Sequence, residues 1–348
     1  MRVYAAGNMK LCFLALGAAG LARAAGEASS PTSIFAPVST PAKSIYDLAL
    51  LVLVVTGVIF VIVAGMLAYV SVKFRSRPGD DGKEPLQVYG SDQLELAWTV
   101  IPVLIVIVLF MTSARIIHAV QDAPMPSGTL QVTVVGHQFW WEYRYPQYGF
   151  VTANELHVPV SEPSHPTPTF LTLLSADTDH SFWVPRLAGK TDLIPNHTNN
   201  TWIDPHEPGL FLGQCAQYCG TQHGKMLLRV VVDSKPDFDK WVREQQQKIN
   251  PDASISADAE EGRRVFNRTA CINCHTISGT VADGRYGPDL THLMSRETIG
   301  SGAVKNSAEN LRAWIKNPAE FKPGVLMPAM NLTEGELSAV TAYMQTLH

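Results

Sequence analysis

Cys215, Cys219, His223 and Met226 fall within one run, GQCAQYCGTQHGKM, and Cys271, Cys274 and His275 form CINCH further along the same chain. The first run offers two thiolates, an imidazole and a thioether. Soft sulfur donors combined with imidazole select copper over hard cations. A single-copper electron-transfer site takes one thiolate, two imidazoles and a weak axial Met. Two thiolates four residues apart can instead bridge two copper ions and share an electron between them. Each copper then needs an imidazole. His223 supplies one, and the other must come from elsewhere. His180, in SADTDHSFWVP, stands at a strand start and is one candidate; His137, His157, His165, His197 and His206 compete with it on spacing alone. The alternative for the two thiols is an oxidised pair of a secreted protein, which leaves His223 and Met226 unexplained.

C-x-x-C-H is the attachment pattern of a c-type haem. Cys271 and Cys274 would form the thioethers, and His275 would be the proximal iron ligand. A zinc site would need two further ligands at suitable spacing. A Met is expected as the sixth iron ligand, because Met/His ligation raises the potential; Met294, Met327 and Met330 are the nearby choices. Two one-electron centres on one polypeptide argue for a relay rather than a hydrolase or a binding module.

These residues need elements to hold them. The chain has 348 residues, enough for two or three domains, with 46% hydrophobic and 17% charged residues. The net charge of −4 gives no case for nucleic-acid binding, which needs a basic face. Residues 1–25 read as a signal peptide: Arg2 and Lys10 precede an apolar run containing Cys12, and small residues follow. Within 44–120, two apolar stretches, 46–72 and 94–117, are each long enough to cross a bilayer. Lys73, Arg75, Arg77 and Lys83 between them predict a cytoplasmic loop. Both outer ends then face the other side, where haem attachment occurs. Residues 128–232 alternate and are rich in Val, Thr and aromatics, which predicts a β-sandwich. Residues 233–256 are polar and read as a tether, partly helical around Phe238 to Lys248. Residues 257–348 read as helical; Leu311, Trp314 and Ile315 share a face, and Thr333 with Glu336 fits a capping box.

The segments GHQFWWEYRYP, DTDHSFWVPRLAGKTD and GQCAQYCGTQHGKM together resemble subunit II of cytochrome c oxidases, over roughly residues 44–232. The resemblance implies a multi-domain membrane protein: a two-helix transmembrane hairpin, a cupredoxin-like β-sandwich and an all-α cytochrome c domain. It implies a dinuclear copper centre, CuA, held by His180, Cys215, Cys219, His223, Met226 and the backbone carbonyl of Gln217. Many relatives carry Glu at the position of Gln217, whose carboxylate serves a magnesium or manganese ion; that ion is not expected here. The aromatic run usually opens with Trp where this chain has Phe139. That Trp is associated with electron entry from soluble cytochrome c, so Phe139 suggests another route, with Trp140 and Trp141 as packing aromatics on a possible electron path. Glu95, three residues before Trp98, matches a Glu at the mouth of a proton-uptake path; a carboxylate favoured by the helix dipole at a helix start is the plainer reading.

KPGVLMPAM resembles the distal loop of small class I cytochromes c, which points to Met327 as the iron ligand with Met330 as runner-up. YGPDL matches the segment whose Pro carbonyl accepts the proximal His N–H, which gives that role to Pro288. The whole resembles a bacterial oxidase subunit II with a fused haem donor, in a complex with subunits I and III in the inner membrane. Its copper and haem c domains would lie on the periplasmic side. The resemblance implies transfer from haem c to CuA and on to the haem/CuB centre of subunit I, for oxygen reduction coupled to proton pumping. The donor would be a bc-type complex, an equivalent complex or a soluble cytochrome c. The alternative is a membrane-anchored relay for another terminal reductase, such as one for nitric oxide.

Overall fold

A computed structural model describes residues 30–75, 84, 87, 89–121, 125–162, 164, 166–251 and 253–348. The segment expected as a signal peptide, with Cys12, lies outside the described residues, as do Arg77, Lys83 and His165. Two long apolar helices come first, α1 (Thr40–Lys73) and α2 (Asp92–Gln121). Their apolar windows are not buried within the chain; Phe60, Val61, Leu96 and Phe110 all stand outward. A water-soluble helix would turn such a stripe into a core, so this surface suits lipid. Length and composition alone make both helices candidate membrane spans.

The two outer helix ends meet the same body. Ser39 pairs with Pro205, and its hydroxyl accepts from the Asp204 amide at 2.9 Å. Trp202 donates its indole N–H to the Val120 carbonyl at 2.7 Å. The helices therefore form an antiparallel hairpin, with Lys73 and Asp92 at the ends away from that body.

Alternation with period two builds the next layer. β1 (Gln131–His137), β2 (Trp140–Tyr145), β3 (Phe150–Ala153), β5 (Thr169–Ser175) and β8 (Asn199–Ile203) form one sheet in the order β3-β2-β1-β5-β8. β4 (Glu155–Pro159), β6 (His180–Trp183), β7 (Thr191–Leu193), β9 (Gly209–Cys215) and β10 (Leu227–Asp233) form the other, in the order β4-β10-β9-β6-β7. Every second residue of β10, namely Leu228, Val230 and Val232, is buried, as a strand with one covered face requires. These side chains meet Trp141, Tyr143, Leu171, Leu173 and Phe182 in one core. The predicted sandwich is thus present.

The stretch from 233 to 256, read as a tether, is packed. It carries helix α3 (Lys235–Gln245), capped by Ser234. Phe238 and Val242 join the sandwich core, and Trp241 stacks on His157 at 4.3 Å between ring centroids. Only three apolar residues of that segment do this, too few to stand out from its polar composition.

The C-terminal body holds α4 (Ala257–Arg268), the short α5 (Cys271–Cys274), α6 (Ala308–Lys316) and α7 (Glu334–Met344). Thr333 and Glu336 make the expected capping box. The body is not all-α, since β11 (Thr298–Ile299) pairs antiparallel with β12 (Val304–Lys305). A turn through Gly300, Ser301 and Gly302, with φ of +64°, +60° and +80°, joins these two strands.

Candidate functional site

The cysteine loop is the connection between β9 and β10. Cys215 ends β9, its amide donates to the Met226 carbonyl at 2.9 Å, and Leu227 begins β10. β6 lies beside β9, with Phe182 opposite Cys215, and the Ala216 amide donates to the Ser181 carbonyl. That adjacency brings His180 to the loop from 35 residues upstream.

The donor atoms converge. Cys215 Sγ stands 3.8 Å from Cys219 Sγ, 3.9 Å from His180 Nδ1 and 3.2 Å from the Gln217 carbonyl oxygen. Cys219 Sγ stands 3.7 Å from His223 Nδ1 and 3.9 Å from Met226 Sδ. The sulfurs are free thiols, well beyond the about 2.05 Å of a disulfide bond. His180, Cys215 and Cys219 place their ligand atoms within 4.8 Å of one another and are buried. The neighbouring Cys219 thiol holds Cys215 low, while Cys215 and burial push Cys219 up. Two such thiols cannot both ionise in a closed site without a cation between them. Of the competing histidines, His137 stacks on Trp140 and faces Glu142, His157 bonds Asp233, and His206 lies beside Thr40. His197 closes a turn with Ile194.

His180 is fixed from behind. Its Nε2 faces Asp177 Oδ1 at 2.8 Å, so Nδ1 is left as a lone pair toward the sulfurs. The same carboxylate accepts from the Gln138 and Thr178 amides. These bonds, led by that to His180, outweigh burial and keep Asp177 below the usual carboxylate range. Asp177 was not picked out from the sequence, although its place three residues before His180 was a usable signal. Gly136 makes room: a Cβ there would come within 2.8 Å of His180 Cδ2.

A second site opens in the helical body. A cleft enclosing about 1370 Å³ of empty space, part of it open to solvent, is lined by Cys271, Cys274, His275, Met327 and Met330 among mostly apolar residues. Met294 instead packs with the helical core. His275 Nδ1 lies 2.7 Å from the Pro288 carbonyl, the expected partner. With the proton at Nδ1, Nε2 is the free donor. Burial pushes this imidazole down, toward the neutral form a metal requires. Arg296 lines the same cleft, is buried, and has an Nε without a hydrogen-bond partner among the described residues. A porphyrin carboxylate would satisfy it.

The two sites share a wall. Gln138, Phe139 and Trp140, from the sandwich, line the cleft of the helical body. Gln138 Nε2 also donates to the Cys219 carbonyl at 2.7 Å, and the Phe139 ring lies against Gly220 of the cysteine loop. Strand alternation then turns Trp141 the other way, edge-on to His180 at 6.0 Å between ring centroids. Trp140 borders the cleft, and its ring stacks on His137. Glu95 lies apart from both sites, exposed in the first turn of α2.

Comparison with known proteins identifies the family. Three family descriptions match: "Cytochrome C oxidase subunit II, transmembrane domain" over 29–116, "Cytochrome C oxidase subunit II, periplasmic domain" over 130–234, and "Cytochrome c" over 259–348. The chain is 34% identical to "Cytochrome c oxidase subunit 2" of Alkalihalophilus pseudofirmus, over 89% of each chain. It is also 34% identical to the protein of that name from Bacillus sp. (strain PS3), over 79% of this chain and 80% of the relative. Among solved structures, the periplasmic domain of subunit II of cytochrome oxidase from Bradyrhizobium japonicum is 28% identical, with a TM-score of 0.33, over 35% of this chain and 97% of that one. The chain belongs to the cytochrome c oxidase subunit II family, with a cytochrome c domain at its C-terminal end.

Proposed function

We propose that this chain is the electron-entry subunit of a haem–copper oxidase in a bacterial inner membrane. Its partners are the oxidase's subunits I and III, and its two redox domains lie on the periplasmic side. Electrons come from a bc-type complex, an equivalent complex or a soluble cytochrome c, and leave toward the oxygen-reducing centre of subunit I. Once bound, the copper pair and the porphyrin iron supply one-electron redox chemistry.

Cys215, Cys219, His180, His223, Met226 and the Gln217 carbonyl would hold the copper ions, with the two thiolates as shared soft donors and one imidazole for each ion. The donor types fit copper, and a cation between the paired buried thiols would let both ionise. Cys271 and Cys274 would anchor the porphyrin, His275 and Met327 would serve its iron, and Pro288, which accepts from His275 Nδ1, would set the imidazole tautomer. The apolar cleft and the partnerless Arg296 Nε suit that group. The observation that carries the reading is the shared wall: residues 138–140 border the cleft, and Gln138 and Phe139 also touch the cysteine loop. Glu95 is proposed as a proton-uptake carboxylate on its place in α2 alone.

Purification of the complex from membranes through a tag on this chain tests the function. An oxygen-consuming partner carrying further haem and copper is expected. Cys274→Ala is expected to abolish haem staining of this polypeptide. A complex that reduces nitric oxide and no oxygen would overturn the reading. Asp177→Asn keeps the shape but weakens the hold on His180. Copper retention against a chelator is expected to fall about 10–100-fold, measured by metal content after dialysis.

A further inference from the structure

The packed interface between the two redox domains contains two buried ionisable side chains that no ligand role explains. Lys322 lies in the distal loop of the haem domain and is 1% exposed. Its Nζ donates to the Phe139 carbonyl of the sandwich at 3.0 Å and to the Gly300 carbonyl at 2.9 Å. A neutral amine has two N–H groups, which match these two acceptors, and burial pushes Lys322 down to about 7. Glu155 lies on β4 of the sandwich and is 3% exposed. Its carboxylate accepts from the Glu297 and Thr298 amides and the Thr298 hydroxyl of the haem domain, each at 3.0 Å. Arg229 stands beside it at 3.3 Å and pairs with Glu297.

The two anchors flank the turn between β11 and β12. Ser301 at its tip is fully buried; its hydroxyl donates to the Leu227 carbonyl at 3.0 Å, and its carbonyl accepts from the Leu227 amide at 3.3 Å. A left-handed Ser is costly and persists where surrounding contacts impose it. Here those contacts come from the other domain. Gln222 and Lys225 of the cysteine loop donate to the Pro323 and Phe321 carbonyls beside Lys322.

We propose that Lys322 and Glu155 are positioning residues that lock the haem domain onto the copper domain and hold the Phe139 backbone between the cleft and the cysteine loop. The haem domain is then a fixed donor rather than a swinging one. The proposal rests on the functional reading above only for the purpose of the lock, since the lock itself is a structural claim.

The test is hydrogen–deuterium exchange on the purified holo-complex of wild type, Lys322→Met and Glu155→Gln, with haem and copper contents measured alongside. Lys322→Met keeps the length of the side chain and removes both donors. Leaving a buried acceptor unpaired costs on the order of tenfold in an equilibrium. Protection of the amides at 227, 297 and 298 is therefore expected to fall about tenfold in each variant, with α4 and α7 as protected as in wild type. Interface protection equal to wild type in both variants would overturn the proposal. Should Lys322→Met lose protection throughout the haem domain, Glu155→Gln decides, because it lies outside that domain: loss confined to the interface supports the lock, and no loss sinks it. Absence of copper or haem from the wild-type complex would instead sink the functional reading and leave the lock standing.

Discussion

Cys219→Ser is expected to empty the copper site rather than halve it. Cys219 Sγ is the hub of the loop, within 3.9 Å of Cys215 Sγ, His223 Nδ1 and Met226 Sδ. A serine hydroxyl is a hard donor that stays protonated near neutral pH, so it can neither match copper's softness nor bridge two ions. With one bridge gone, His180 and His223 no longer face the same pair. Metal analysis of the purified complex is expected to show a loss of copper from this chain. The near-infrared band and the hyperfine pattern of an electron shared by two equivalent nuclei should vanish with it. Copper also stabilises the sandwich by mass action, by about 2.7 kcal/mol at a hundredfold excess over its dissociation constant. Copper should therefore raise the unfolding midpoint of the wild type and leave that of the variant unmoved. A variant that keeps its full copper content and spectrum would refute the bridging geometry.

Gly262→Ala is expected to destabilise the haem domain, against the usual direction. Alanine in a helix interior is normally favoured over glycine by about 1 kcal/mol. Gly262 lies on the buried face of α4, where the backbone of Ala339 in α7 crosses. A Cβ there would sit inside the contact radius of the Ala339 carbonyl oxygen and close to Tyr343 Cβ. The obstacle is backbone, which cannot rotate away, so the helices must part. Overpacking of this kind costs about 1–3 kcal/mol. Each kcal/mol lowers the midpoint of a domain of this size by about 4–8 °C. Thermal melting followed at the haem absorbance should show the drop, while the sandwich transition stays in place. An unchanged or raised haem-domain midpoint would show that the helices tolerate the methyl.

What the chain declares on its face is local. Two apolar runs, alternating strands and a capping box at Thr333 are short-range patterns, and each appears in the structure; CINCH is as short, and its Cys271, Cys274 and His275 line one cleft. What it conceals is long-range. His180 could be preferred over His157 or His206 only by resemblance, because its claim rests on β6 lying beside β9. The tether looked slack because Phe238, Trp241 and Val242 are sparse, and the partners that bury them, such as Tyr145 and His157, are some 80 residues or more away. β11 and β12 are two residues each, too brief for any periodicity to register. Lys322 and Glu155 carry charge, which ordinarily means solvent. Their burial depends on a surface from another domain, and no spacing within either segment could announce it.

The packed α3 and the buried contacts around Ser301 bear on traffic through the complex. A donor held in place serves its own acceptor and no neighbour's. Under the proposed function, electrons would then enter through a single port. The reloading of the iron by its donor, rather than the reach of a linker, would set the pace.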